Sequence, residues 1–445
     1  MAPSWVLLDR VLLFSHDEAV FAGETEGGRE STGCASDTMK GPPTEQDYSY
    51  AITAYLQSLK PDARLADPPE LSSLRMLQPT KSVPPLCDRV TSACISSADK
   101  HLVALYAGAY RPGTHYRGCH LIYDASKNSL STIPRLPYRR FHTAVGCHSA
   151  VVVCDGDGAG YTLAELSMDR SSDVGEAALY LLYPNTEEWV VKAGFLPLPR
   201  TLDFSAGMCF HCRGTSLCWV DLLQGMVVCD LSGVERFSSD PKFRFVPLPA
   251  ECPTYGVLDP QCRGWQICGE EFRSVSCVGG VIQFVAIDGY VDRRPEEAKL
   301  ILWTLSPDLE WVKGMVYEVE KIWGNKIYQS TGIGKVAPSF PVLSMYEAHV
   351  VYLVFTDIRA VASNFAGTRV VDNNEVECRG QYVIRLDMKN GEVQLYKAST
   401  KWLIHSQLFA SEFSAYRQGL EDHPPFLFVI AREVEASRLL QGERE

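Results

Sequence analysis

The chain is short of the signals that announce a reaction. No Gly-x-Ser-x-Gly elbow is there to present a serine nucleophile, and no His-Glu-x-x-His pair to hold a catalytic zinc. Gly332-Ile333-Gly334-Lys335 lacks the spacing and the hydroxyl of a phosphate loop. No Asn-x-Ser/Thr acceptor occurs, which agrees with a cytoplasmic or nuclear home. No apolar run approaches the about 18 to 20 residues that a membrane helix needs, so no membrane partner is expected. The apolar opening from Trp5 to Phe14 is split by Asp9 and Arg10 and has no basic residue before it, which speaks against a signal peptide.

Positive charge is also scarce. Lys and Arg number 42 against 54 Asp and Glu, a net charge of −12, whereas nucleic-acid binders draw most of their affinity from basic footprints. The densest basic segment, Arg135 to Phe141 with Tyr138, Arg139 and Arg140, reads first as a solvated loop. Arg139 and Arg140 are kept as binding candidates beside Arg263 and Trp265.

Cysteine, by contrast, is plentiful: 15 residues, mostly in apolar runs where a thiol behaves as a small buried hydrophobe. Cys209-x-x-Cys212 encloses His211, but no second such pair exists, and on a strand the two thiols would face opposite sides. No metal or other cofactor is expected. Asp155-Gly156-Asp157-Gly158-Ala159-Gly160 fails as a calcium loop, with Ala159 at the fifth position and Leu166 at the twelfth. Its glycines also miss the dinucleotide frame, so a tight turn is the reading.

What the chain has in quantity is short apolar runs of four to nine residues, punctuated by Gly, Asp, Asn and Pro from about residue 90 onward. A strand, a polar turn and a second strand recur from Leu121, Leu179, Met226, Leu300 and Tyr382, each preceded by another pair of runs. One four-stranded sheet cannot bury both faces, and radial packing of several solves that. The expected fold is all-β and mostly antiparallel: a β-propeller of about five to six four-stranded blades, with packed β-sandwich domains as the alternative.

The expected division is as follows. Residues 1–21 hold N-terminal strands that close the ring together with a late strand, Phe426 to Ala431. Residues 22–86 form a Gly/Pro-rich insertion with one short helix over 48–59 and irregular chain from 60. Residues 87–398 form the repeat domain. Residues 399–445 hold a helix over 399–418, the late strand and a charged tail. Loops at 22–47, 156–178, 232–242, 288–298 and 359–380 are where specificity would sit. In Trp219-Val220-Asp221 the two outer residues share a strand face, which suits a Trp filling the space between sheets and an Asp tying down a turn.

Trp219, Asp221 and Gly225, followed by Cys229-Asp230-Leu231, resemble the core signature of a plant family, expanded in grasses, catalogued as domain of unknown function 1618. The opening Pro3 to Asp9, the run Phe272 to Val285 with Gly279 and Gly280, and Trp303-Thr304-Leu305 with Trp311 fit the same pattern. The resemblance implies no established activity. Together with the repeat pattern it leads to a non-enzymatic scaffold with a protein partner. An enzyme with a pocket between blades, hydrolase or glycan-active, is the alternative. A substrate-receptor role, as in propellers that follow F-box segments, is an analogy only.

Overall fold

The computed structural model describes residues 3–16, 45–78, 90–108, 118–137, 142–146, 148–155, 160–171, 175–183, 186, 188–199, 202–212, 215–231, 240–252, 268–290, 295–361, 375–398 and 407–417. The chain begins with two strands, β1 (Val6–Asp9) and β2 (Val11–His16), separated by Arg10 alone. A helix, α1 (Glu45–Ser58), and strands β3 (Lys60–Arg64) and β4 (Ser73–Gln78) follow.

Five antiparallel sheets come next, each built on an up-and-down meander of four strands. The first holds β5 (Ser92–Asp99), β6 (Leu102–Ala107), β7 (Cys119–Asp124) and β8 (Ser129–Thr132). The second holds β9 (His142–Ala144), β10 (Val151–Cys154), β11 (Tyr161–Asp169), β12 (Glu176–Leu182) and β13 (Val190–Phe195), with β9 pairing with β11 off the path of the other four. The third holds β14 (Met208–Cys212), β15 (Ser216–Asp221), β16 (Gly225–Asp230) and β17 (Lys242–Pro247). The fourth holds β18 (Arg273–Val278), β19 (Val281–Asp288), β20 (Lys299–Leu305) and β21 (Trp311–Glu318). Two short helices, α2 (Val319–Trp323) and α3 (Lys326–Gln329), lead to the fifth, with β22 (Ser339–Leu343), β23 (Val350–Val361), β24 (Glu375–Asp387) and β25 (Val393–Lys397). Strand β26 (Leu408–Ser411) comes last.

One strand from each successive sheet lines a closed circuit of contacts: β5, β10, β14, β18, β22, β26 and back to β5. That is a propeller with six blade positions among the described residues. Six apolar cores lie between successive blades, from Leu102, Ile122, Val152 and Leu163 between the first and second to Leu7, Val342, Tyr352 and Leu408 between the fifth and sixth. Each sheet thus buries both faces, which a lone meander cannot do. Strand interiors read as continuous burial, as in β6 and β7, whereas the outer strand β21 alternates with solvent.

The sixth position is built from both ends of the chain. β1 pairs antiparallel with β26, from Val6–Ser411 to Asp9–Leu408. One residue later β2 pairs with the free edge of β5, from Val11–Cys94 to Leu13–Ser92, and then lies parallel to β4. One nearly continuous N-terminal strand therefore stitches the last blade to the first. Helix α1 packs its Ile52, Tyr55 and Leu56 into the same core.

Four expectations are corrected here. Of the stretch read as a helix over 399–418, residues 407–417 form β26 and a 3-10 turn at Phe413–Tyr416. The near-helical spacing of Leu408, Phe409, Phe413 and Tyr416 lost to pairing with β1, a partner some 400 positions away. Strand β26 is the described strand that pairs with β1; the late strand expected at Phe426–Ala431 lies outside the described residues. Residues 60–86 are not wholly irregular: β3 and β4 sit there, and β3 tolerates Pro61 because it is an edge strand. The span 156–178 is not all loop, since β11 fills 161–169 and β12 starts at 176. Likewise most of 359–380 that is described extends the hairpin of β23 and β24. No described helix is long and apolar enough to cross a membrane.

Candidate functional site at the axis of the ring

Arg10 is the single residue between β1 and β2, and both its backbone groups are used at the seam. Its N–H donates to Gln407 O (3.0 Å) and its carbonyl accepts from Ile95 N (2.9 Å). Its side chain is 3% exposed and crosses the axis. Nη1 donates to Gly207 O on the third blade (2.8 Å) and to Gln407 Oε1 beside the sixth (2.6 Å), while Cζ lies 5.6 Å from the ring centre of Phe409. Nε and Nη2 have no hydrogen-bond partner among the described residues. Burial pulls the Arg10 guanidinium down from its ordinary range, with the Glu270 carboxylate acting the other way.

The axis is packed rather than open. Cys209 on β14 donates to His148 O (3.0 Å) and lies 3.4 Å from Ala150 O, and its own thiol is buried. Burial drives that thiol well above its usual range, so it is no nucleophile at neutral pH. Glu270 sits in the turn Gly269–Glu271 against Gly207, where a Cβ on that glycine would fall 1.9 Å from Glu270 Oε1. Half-buried His148 has an unpartnered Nδ1, and burial and Arg10 together lower it to about 3.

A buried polar chain runs outward from this point. Trp219 Nε1 donates to Ser149 O (2.8 Å), the Ser149 hydroxyl bonds to Glu165, and Glu165 Oε2 faces His120 Nε2 at 3.7 Å. Burial raises Glu165 to about 8 and lowers His120 to about 4, so both are neutral at pH 7. The groups here with acid–base chemistry are held in uncharged forms inside blade contacts.

The residues singled out from the sequence scatter over this frame. Trp219 is fully buried between the second and third blades. Asp221 closes the turn after β15: Oδ1 accepts from Leu223 N and Oδ2 from Ser205 N, both 2.9 Å. Burial still lifts its carboxyl to about 6. Gly225 lies where a Cβ would meet Val246 O at 2.6 Å. Asp230 ends β16, and Gly279 and Gly280 make the turn from β18 to β19 with φ of 56° and 77°. Arg139, Arg140, Arg263 and Trp265 lie outside the described residues. Cys212 does not meet Cys209; its sulfur pairs with Cys277, joining β14 to β18 with Cα atoms 5.8 Å apart. The described residues hold no cluster of three or more metal-type ligands.

Arg10, His120 and Glu165 were the residues that sequence reading passed over. Arg10 carried one signal, a lone charge inside an apolar strand run. Glu165 carries none, because the sequence pattern places it in the loop expected at 156–178.

Two further features lie off the axis. A cleft of about 140 Å³ between the third and fourth blades is lined by Arg273, Asp288, Trp303, Lys313 and Glu251 among others. In the fifth blade, β23 and β24 run on past their neighbours. β25 pairs with β24 no further than Tyr382 and β22 reaches only Val354 on β23, yet the two arms stay paired to Val361–Glu375. Beyond a bulge at Asp357 and Ile358 the ribbon has two strands and two open edges among the described residues.

Residues 219–352 match the family model described as "Protein of unknown function (DUF1618)", the family whose signature the sequence resembles. The matched stretch runs from β15 into β23. No curated protein matches the chain. Among solved structures it is similar to the periplasmic gluconolactonase PpgL of Pseudomonas aeruginosa (12% identity, 69% of this chain and 85% of that one, TM-score 0.32). It is also similar to BT3683, a GH43 beta-1,3-galactosidase (8% identity, 70% and 93%, TM-score 0.28), and to a Synechocystis ACO mutant (10% identity, 66% and 57%, TM-score 0.29). The chain spans little more than half the length of the ACO and ACO/RPE65 chimera structures it matches. Likenesses this slight carry no argument about activity.

Proposed function

We propose that this propeller is a non-catalytic docking scaffold whose protein partner engages the projecting β23–β24 ribbon. The ribbon is the observation that carries the reading. Among the described residues both edges of this two-stranded arm are open, and proteins use such edges to accept a strand from a partner. The interior supports the same reading. His120 and His148 are pushed well below the neutral range and Cys209 well above it, which suits a rigid ring better than proton transfer at neutral pH.

The test compares the full chain with a variant in which residues 359–377 are replaced by an Asn-Gly turn joining Ile358 to Cys378. Affinity purification with mass spectrometry is expected to return a partner that the shortened chain loses while keeping its melting temperature. Turnover of a lactone or glycoside by the full chain, abolished by substitution in the cleft at Arg273 or Asp288, would overturn the scaffold reading.

A further inference from the structure

We infer that Cys212 and Cys277 form a reversible redox site, a disulfide between the third and fourth blades that a dithiol opens and recloses in the folded chain. The inference is independent of the docking reading, since it concerns this junction and not the ribbon.

The placement of the two residues carries it. Cys212 ends β14 and Cys277 is the last residue but one of β18, the strands by which the third and fourth blades meet in the circuit around the axis. Their sulfurs pair, and their Cα atoms are 5.8 Å apart, an ordinary span for a disulfide. Each backbone is fixed by its own ladder, Cys212 opposite Ser216 and Cys277 opposite Ile282, so neither strand depends on the bond for its position.

The surroundings provide for both states. Cys212 Sγ also lies 3.6 Å from Gly280 O, so the thiol released by reduction has a hydrogen-bond acceptor in place. Both residues pack against the apolar core that the two blades share, with Cys218, Val275 and Phe284, where a thiol behaves as a small hydrophobe. Access is one-sided. Cys212 is 2% exposed, whereas Cys277 is half-buried and stands next but one to Gly279, which is exposed in the turn from β18 to β19. Cys277 is therefore the sulfur that an incoming thiolate reaches. Cys154 and Cys209 differ: they are free thiols that donate to backbone carbonyls from buried positions.

The exchange balances. One thiolate of the dithiol attacks Cys277 Sγ, the Sγ–Sγ bond breaks, and Cys212 leaves as a thiolate that takes up a proton. The second thiol of the dithiol then attacks the mixed disulfide, Cys277 leaves and is protonated, and the dithiol ends as a cyclic disulfide. Two electrons and two protons pass from the dithiol to the pair, and the oxidised dithiol drives the reverse. The closed bond spans a sequence separation of 65, so the oxidised chain should be the more stable.

The probes are reduced and oxidised dithiothreitol, applied to the full chain under folding conditions. Peptide mapping without reduction, after free thiols are capped, reads the bond, and circular dichroism reads the fold and the melting temperature. Oxidised dithiothreitol is expected to give a linked peptide carrying Cys212 and Cys277. Reduced dithiothreitol should remove it without loss of the β-sheet signal, and reoxidation should restore it. Reduction should lower the melting temperature by about 2 to 5 °C, the scale expected when a loop of this size is released. Cys277→Ser should melt at the reduced value in both buffers; if it does not fold, the cycle in the natural chain decides. A linked peptide absent from both buffers, a bond that yields to reductant only after the chain unfolds, or a melting shift that persists in Cys277→Ser would overturn the inference. The second of these would make the bond a permanent staple.

Discussion

Glu165 Oε2 on the second blade lies 3.7 Å from His120 Nε2 on the first, and the two residues are 0% and 6% exposed. Burial makes each neutral at pH 7, by raising the acid and lowering the base. Their effects on stability have opposite signs. Glu165 rises from 4.5 to about 8, so the folded state keeps a proton that the unfolded chain has shed, and stability falls as pH climbs through that window. His120 falls from 6.5 to about 4, so stability falls as pH drops through that one. The two offset each other between pH 4.5 and 6.5, and above 6.5 Glu165 acts alone. The unfolding free energy from urea titrations should therefore decline from pH 6.5 to 8, by up to about 1.4 kcal/mol per pH unit. In Glu165→Gln the decline should flatten. An unchanged slope in that variant would show that the carboxyl is already ionised at neutral pH.

Trp219→Phe tests the link between the second and third blades. It removes the Nε1–H that satisfies Ser149 O and opens space in a core where Trp219 has no exposure. The expected loss is about 2 to 3 kcal/mol, from an orphaned carbonyl and a small cavity. Chemical denaturation measures it, and a loss below about 0.5 kcal/mol would mean that the blades repack around phenylalanine.

Asp221→Ala should cost about 2 kcal/mol, because two backbone N–H groups, those of Leu223 and Ser205, lose their acceptor in a buried turn. Gly225→Ala, four residues on, should cost more than a surface glycine, since its Cβ meets backbone at Val246 O and cannot be relieved by a side-chain rotation. Gly279→Ala has open space around its Cβ, and there only the positive φ opposes it. Melting temperatures of Asp221→Ala, Gly225→Ala and Gly279→Ala, read side by side, check the order.

Ring closure by the N-terminal strand gives a paired prediction. Leu8→Ala should destabilise by about 2 to 5 kcal/mol, because Leu8 is fully buried in the core shared by the sixth and first blades. Leu13→Ala, on the same nearly continuous strand but 50% exposed, should stay within about 0.5 kcal/mol. Equal effects at the two positions would mean that the strand does not close the ring as drawn.

The repeated strand–turn–strand runs were legible because burial between two neighbours writes continuous apolar stretches, as in LVALYA and CHLIYD. The turns were legible at Asn128, Gly279 and Gly391, where positive φ demands particular residues. The site was far less so. Glu165 looks like any polar residue near a loop, and only the approach of Ser149 and His120 from other strands makes it a buried acid.

By itself the sequence determined what depends on neighbours along the chain: strand runs, turn positions, an all-β repeat and the family signature around Trp219 and Asp221. The tertiary structure alone decided what depends on residues hundreds of positions apart. It chose β26 over a helix, because β1 offered Leu408–Ser411 a full set of backbone partners. It also took Arg10, one charge in an apolar strand, and set its guanidinium across the axis between Gly207 and Gln407. Local propensity is summed over a few residues, whereas ring closure and charge burial are settled only when the two ends of the chain meet.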